Sequence, residues 1–144
     1  MNIKAEWRVE LFKADANKCA NEIMSLGEDV SPAQIVEYAR KPNTELHRCF
    51  TWNDAEAANK YRIFEARQVV CNLIIRKENG EKQEPTPIRL FHKIENGHYK
   101  PLTLIVQNED EYELILRQCK EALESLKRKY SSLSEYQEIW DLIN

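Results

Sequence analysis

Three helix-start signals recur along this chain, and they constrain its fold more than any other feature. Ser31-Pro32-Ala33-Gln34 is a capping box with proline at the first helical position. The serine oxygen can accept an orphan amide of the first turn, and Gln34 can reach back to the serine amide. Asn53-Asp54-Ala55-Glu56 repeats the signal with a carboxylate where the helix dipole favours it, and Asn108 through Glu111 gives it a third time. A chain with so many explicit helix starts is expected to be mainly helical.

Apolar spacing supplies the remaining elements. Asp15 can cap a helix through Leu26 in which Ala16, Cys19, Ala20, Ile23 and Leu26 recur every three or four positions, and Gly27 stops it. The helix from Pro32, with Ile35, Val36 and Ala39 as its buried stripe, ends before Lys41-Pro42, because proline drives its predecessor out of helical geometry. Asn43-Thr44 can cap a short segment through Phe50. The next helix carries Ala58, Tyr61, Ala66, Val69 and Leu73 as its expected core stripe and is read to Ile75, although the β-branched run from Val69 reads equally well as a strand.

Ile3, Ala5, Trp7, Val9 and Leu11 alternate with polar residues, which is the period of a half-buried strand. Residues 88–94 and 99–106 flank Asn96-Gly97, the strongest local signal for a hairpin, and Pro101 belongs at a sheet edge or outside the ladder. Tyr112, Leu116, Cys119, Leu123, Leu126 and Tyr130 follow at spacings of four, three, four, three, four, a short heptad seam. After Ser131-Ser132, a final amphipathic helix carries Leu133, Tyr136, Ile139, Trp140 and Ile143. The seam is expected to pack against this last helix, leaving a monomer or a weak homodimer through residues 112–130.

The expected class is therefore α+β, mainly helical: helix-turn-helix-like N-terminal helices, a β-hairpin and two C-terminal amphipathic helices. The polar stretch around Asn79-Gly80 suggests a boundary, with a helical region 1–78 and a hairpin plus helical pair 79–144, both in one compact unit.

Composition narrows the function classes. At 144 residues, 42% hydrophobic and 31% charged, the chain can build one modest core. No run approaches the roughly 18 apolar residues of a membrane span. The opening MNIKAEWRVELFK is no signal-peptide core, so no membrane partner and a cytoplasmic location are expected. Phosphate loops, nucleophile elbows, dinucleotide fingerprints and zincin motifs are absent, and the 3 glycines leave little for backbone cradles. The expectation is a non-enzymatic protein without a cofactor. The 4 cysteines form no C-x-x-C pair, and His47-x-Cys49 is half of a metal site with no second pair of ligands, so neither disulfides nor metal are expected.

The net charge of −3 gives no general basic excess for nucleic acid, but residues 1–80 balance 12 Lys+Arg against 12 Asp+Glu while residues 81–144 carry 9 against 12. Any polyanion contact therefore belongs to the first part. The helices at 15–26, 32–40 and 44–50 resemble a helix-turn-helix, with the hairpin as a wing offering Lys93, His98 and Lys100. In that reading Arg40, Lys41, Arg48 and Lys60 contact DNA phosphates, and Thr44 and His47 lie nearest the bases. Phe50 and Trp52 support a different reading, a protein-interaction surface, since aromatic anchors dominate interface energetics. The structural alternative has His47 packing on Trp52, with both aromatics stapling a helix start to the core.

The segment LHRCFTWNDAEAANKYRIFEARQVV resembles a group of uncharacterised small proteins from bacteriophages and prophages of low-GC Gram-positive bacteria. The matching residues are Leu46, His47, Phe50, Trp52, Asp54, Ala57, Ala58, Tyr61, Arg62, Ala66 and Arg67, with Asn53 where an acidic residue is common. The resemblance implies a phage-related origin and two kinds of role, DNA transactions or inhibition or recruitment of a host or phage protein.

Overall fold

The first two helices begin where capping chemistry places them. In the computed structural model, which describes residues 3–52, 56–77 and 86–143, the Asp15 carboxylate accepts the Lys18 amide at 2.9 Å and α1 runs Ala16–Ser25. Gly27 follows at a φ of 146°, a conformation open to glycine and few others. The Ser31 box closes in both directions: the Gln34 amide donates to Ser31 Oγ at 3.2 Å, and the Ser31 amide donates to Gln34 Oε1 at 2.8 Å. From it α2 runs Pro32–Ala39. The next helix, α3, runs Glu56–Asn72, and its expected start signal at Asn53-Asp54 lies outside the described residues.

The helix read to Ile75 stops at Asn72, and the chain continues directly as a strand. β1 (Ala5–Trp7), β2 (Leu73–Lys77) and β3 (Thr86–Arg89) form an antiparallel sheet in the order β1-β2-β3, with Trp7 opposite Leu73 and Ile75 opposite Ile88. β-branched residues are stiff in a helix and fit a pleated surface, and here Ile74 and Ile75 have partner strands on both sides. The N-terminal alternation predicts a longer strand than the three residues of β1. Past Trp7 the chain leaves the ladder for Asn72, whose side chain accepts from the Val9 amide at 3.0 Å and donates to the Val9 carbonyl at 2.7 Å.

The hairpin forms from β4 (Phe91–Lys93) and β5 (Tyr99–Pro101), with His92 opposite Lys100. Its turn uses Asn96 at φ 64° and Gly97 at φ 73°, consecutive left-handed residues of the kind Asn-Gly supplies at least cost. Beyond Pro101 the expected strand is instead one helical turn, α4 (Leu102–Ile105), because the Leu102 amide turns to the Leu90 carbonyl at 2.7 Å.

The chain divides into two compact units, Met1–Ile105 and Val106–Asn144. The boundary expected at 78/79 thus falls after the hairpin. Val30 and Tyr99 exchange backbone hydrogen bonds at 2.8 and 2.6 Å, and Leu90 and Phe91 join a core shared with Cys19, Ile23, Ile35, Val36, Leu46, Val69, Val70 and Leu73. The inward face of α3 is Arg62, Ala66, Val69 and Val70, continued by Leu73 at the start of β2, while Tyr61, placed in the core by the sequence reading, is exposed.

In the second unit, Asn108 Oδ1 accepts the Glu111 amide at 3.0 Å and opens α5 (Glu109–Tyr130). A 3-10 turn at Ser134–Tyr136 leads into α6 (Gln137–Asp141). Trp140 and Ile143 are buried, the Trp140 indole donates to the Leu133 carbonyl at 3.1 Å, and Lys127 Nζ donates to the Ile143 carbonyl at 2.6 Å. The expected burial of the seam does not occur. Leu116 is 52% and Leu123 41% exposed, and Leu133, Tyr136 and Ile139 are exposed as well. Length explains it: at 1.5 Å per residue α6 spans about 8 Å against about 33 Å for α5. Leu116→Ala should therefore cost under about 1 kcal/mol in urea denaturation at low protein concentration, well short of the roughly 2–5 kcal/mol of a buried leucine.

Candidate interaction site

The elbow between α2 and α3 is built by side chains that cap backbone. One carboxylate, Glu22 on α1, accepts the amides of Glu45 at 2.8 Å and Leu46 at 2.9 Å, which starts the 3-10 turn Leu46–Cys49. Thr44, itself buried, accepts the His47 amide through Oγ1 at 3.2 Å and donates to the Lys41 carbonyl at 2.8 Å. Leu46 and Cys49 are buried beneath the turn.

Above the turn lies a stack. The His47 ring is 4.8 Å from the Trp52 ring and nearly parallel to it, and His47 Nδ1 lies 2.8 Å from the Ala39 carbonyl. The Trp52 indole donates to the His47 carbonyl at 2.9 Å. The Arg62 guanidinium sits 4.7 Å from the Trp52 centroid and donates from Nε to the Thr51 carbonyl at 2.8 Å; the residue is only 3% exposed. A cation held against an indole face and shielded from water gains more than one on the surface, so this contact fixes the elbow.

Most of the residues proposed from sequence for DNA lie around this elbow, and several are already engaged. Arg40 pairs with Glu37 at 3.0 Å, donates to Asn59 and lies 5.8 Å from the Trp52 centroid. Arg48 pairs with Glu45 at 3.0 Å, and Lys41 Nζ rests 5.4 Å from the Tyr38 ring. Lys60 is exposed on α3. The segment assigned to base reading is a single turn of four residues whose apolar pair faces the core. On the hairpin, His98 Nδ1 lies 2.6 Å from the Asp29 carboxylate and Lys100 is buried. Phe50 and Trp52, proposed as partner contacts, pack together at 5.6 Å, with Phe50 buried and Trp52 half-buried.

Two of the cysteines lie in the core beneath the elbow. Cys19 and Cys49 lie with sulfurs 3.8 Å apart in the core, and their mutual hydrogen bond, reinforced by burial, pushes the Cys19 thiol far above its ordinary range. Among the described residues no group of three or more His, Cys, Asp or Glu is placed to hold a metal ion, and no helix is long and apolar enough to cross a membrane.

A concavity of about 350 Å³ opens between α3, the elbow and the segment after β1. Leu11, Phe12 and Lys13 come from the segment after β1, Arg48, Phe50 and Thr51 from the elbow, and Tyr61, Phe64, Glu65 and Gln68 from α3. Leu11, Tyr61 and Phe64 are all exposed, and the two rings stand 6.1 Å apart. Glu65 faces the Thr51 amide at 3.4 Å and the Thr51 hydroxyl at 3.5 Å. Burial raises its pKa above the usual carboxylate value, outweighing the Thr51 bonds and the Arg62 charge, which lower it.

Sequence reasoning missed this groove, because Leu11 and Phe64 lie far apart in the chain. The available signal was the α3 pattern itself: Tyr61 and Phe64 recur at helical spacing off the face of Ala66, Val69 and Leu73, and a helix apolar on two faces needs a second cover.

No family model, curated protein or solved structure matches this chain.

Two pH effects follow. A Glu65 pKa raised by folding favours the protonated acid, so its contribution is full below the carboxylate's ordinary pKa and is lost as pH rises through the folded value. Glu65→Gln should raise the melting temperature at neutral pH and leave it little changed at pH near 4. His92 is the opposite case: burial, then the Arg89 charge, lower its pKa. The unfolded chain takes up the proton first on acidification, and stability falls below the ordinary histidine pKa until the folded value is passed. Melting curves of wild type and His92→Gln should diverge in that window.

Proposed function

We propose that the first unit is a protein-interaction module that binds a partner protein through the groove of Leu11, Tyr61, Phe64 and Glu65, and so inhibits or recruits a host or phage protein. The observation that carries this reading is three exposed large apolar side chains from two distant segments converging on one concavity, beside a carboxylate whose ionised form is disfavoured by burial. Isolated apolar residues on a surface are ordinary, but a contiguous concave cluster of them marks a binding surface. The complement is a segment that inserts an aromatic or aliphatic side chain between Tyr61 and Phe64 and brings a hydrogen-bonding or basic group to Glu65, clear of Lys13 and Arg48 on the same lining.

Selection from a random peptide library, with wild type as bait and Tyr61→Ala/Phe64→Ala as counter-bait, tests it. Expected are peptides pairing an apolar anchor with a hydrogen-bonding or basic residue, whose binding weakens by about 2 kcal/mol, roughly thirtyfold in Kd, on loss of the two rings. No peptide separating the two baits overturns the reading. The DNA-associated alternative is tested by fluorescence anisotropy on duplex DNA at low salt, where binding lost with a log-log slope of about −0.9 per phosphate and reduced by Arg48→Ala and Lys60→Ala favours the helix-turn-helix-like mode. The expected result is no binding at micromolar protein, since Arg40 and Arg48 each lie against a carboxylate.

A further inference from the structure

The exposed seam of α5 reads the same in both directions. Its spacings of four, three, four, three, four are symmetric about residue 121. Two copies of the helix laid antiparallel therefore bring Tyr112 level with Tyr130 of the second copy, Leu116 with Leu126 and Cys119 with Leu123. Each such level pairs one a position with one d position, the layer an antiparallel coiled coil uses.

Charge selects the same arrangement. The first turn of α5 holds Glu109, Asp110 and Glu111, and its last turn holds Lys127, Arg128 and Lys129. Antiparallel pairing sets the acidic end of each helix beside the basic end of the other and opposes the two helix dipoles, whereas parallel pairing sets like charge on like. Glu113 and Lys127 each follow a d position, so they lie on one side of the seam and face each other across the antiparallel pair, once at each end. Lys120 meets its own copy at the centre, one repulsion against two attractions.

We propose that this chain self-associates through α5 as an antiparallel homodimer with its two-fold axis level with Glu121. The occupant of the face is a second copy, because both the seam and the charged ends are complementary to themselves. About three heptads make a short interface, so the dimer is reversible and forms in the micromolar range.

Light scattering and sedimentation of the full chain across that range should show mass rising from 17.0 kDa toward twice that value. Leu123→Glu should abolish the rise while leaving the circular dichroism spectrum unchanged at low concentration, because Leu123 is exposed in the single chain. Glu113→Lys should weaken association at least fivefold, and Glu113→Lys/Lys127→Glu should restore it. In a parallel pair Glu113 would face Asn108 and Lys127 would face Ala122, and the double exchange would restore nothing. Lys127 also holds the Ile143 carbonyl, so orientation is measured independently with a spin label at Glu113→Cys in a Cys71→Ser/Cys119→Ala background. The antiparallel register places the two labels about 24 Å apart along the axis, and a parallel one about 10 Å apart across it. A monomer throughout, a dimer indifferent to Leu123→Glu, or a short label distance overturns the proposal.

Discussion

Phe91→Ala should lower the unfolding free energy by about 3–5 kcal/mol. Phe91 is fully buried on β4, and its surroundings have little room to collapse into the space it would leave. The Leu90 amide donates to the Leu73 carbonyl at 3.1 Å, the Leu90 carbonyl accepts the Leu102 amide at 2.7 Å, and Phe91 is paired in register with Pro101. Backbone tied on both sides keeps the cavity open, and a cavity that cannot close is what takes such a loss beyond simple transfer free energy. Urea denaturation should show a lower midpoint with an unchanged slope. A loss below about 1 kcal/mol would mean that the hairpin is not part of the cooperative core of the first unit.

Trp52→Ala should cost about 3 kcal/mol even though the residue is half-buried, because three contacts disappear together. His47 loses its stacking partner, the His47 carbonyl loses the indole donor, and the buried Arg62 loses the ring it lies against. Trp52→Phe keeps a ring and should recover part of that loss in the same denaturation series. The comparison also separates structure from recognition. Trp52→Ala should weaken peptide binding only in proportion to the unfolded fraction, whereas Tyr61→Ala and Phe64→Ala should weaken it in a fully folded protein.

What sequence could show divides along a physical line. Asp15, Ser31 and Asn108 begin helices because a cap acts on amides three residues away, and the Asn96-Gly97 turn forms because those residues tolerate left-handed backbone. Such interactions are local, and the α+β, mainly helical class followed from them. The change from helix to strand after Asn72 depends on two strands elsewhere in the chain, so local periodicity through Leu73, Ile74 and Ile75 could not place it. The exchange of roles between Tyr61 and Arg62 has the same origin: an arginine goes inside only where a distant Trp52 and a carbonyl receive it. The amides of Glu45 and Leu46 find their cap on α1, far back in sequence. At the site, the structural reading of His47 against Trp52 was legible because the two residues are neighbours. The groove was not, because Leu11 reaches Tyr61 and Phe64 only once the chain has folded. For α5 the seam was legible, but not that α6 is too short to cover it.

Asn72 ties one wall of the groove to the end of α3. Its carboxamide holds Val9 at both backbone groups, the Arg8 amide donates to its carbonyl at 2.7 Å, and the Leu11 amide in turn donates to the Val9 carbonyl at 2.8 Å. The segment that carries Leu11 is thus fastened at its near end to Asn72, and at its far end Phe12 lies 4.8 Å from the Trp7 ring while the Trp7 indole donates to the Ala14 carbonyl at 2.8 Å. In hydrogen exchange the amides of Arg8, Val9 and Leu11 should behave as one group, opening far more often than those of Val69 and Val70. Replacing the amide by a carboxylate in Asn72→Asp sets oxygen against the Val9 carbonyl and should release that group alone. If the proposed partner inserts a bulky side chain beside Leu11, protection should fall at Arg8, Val9 and Leu11 and not at Val69 and Val70.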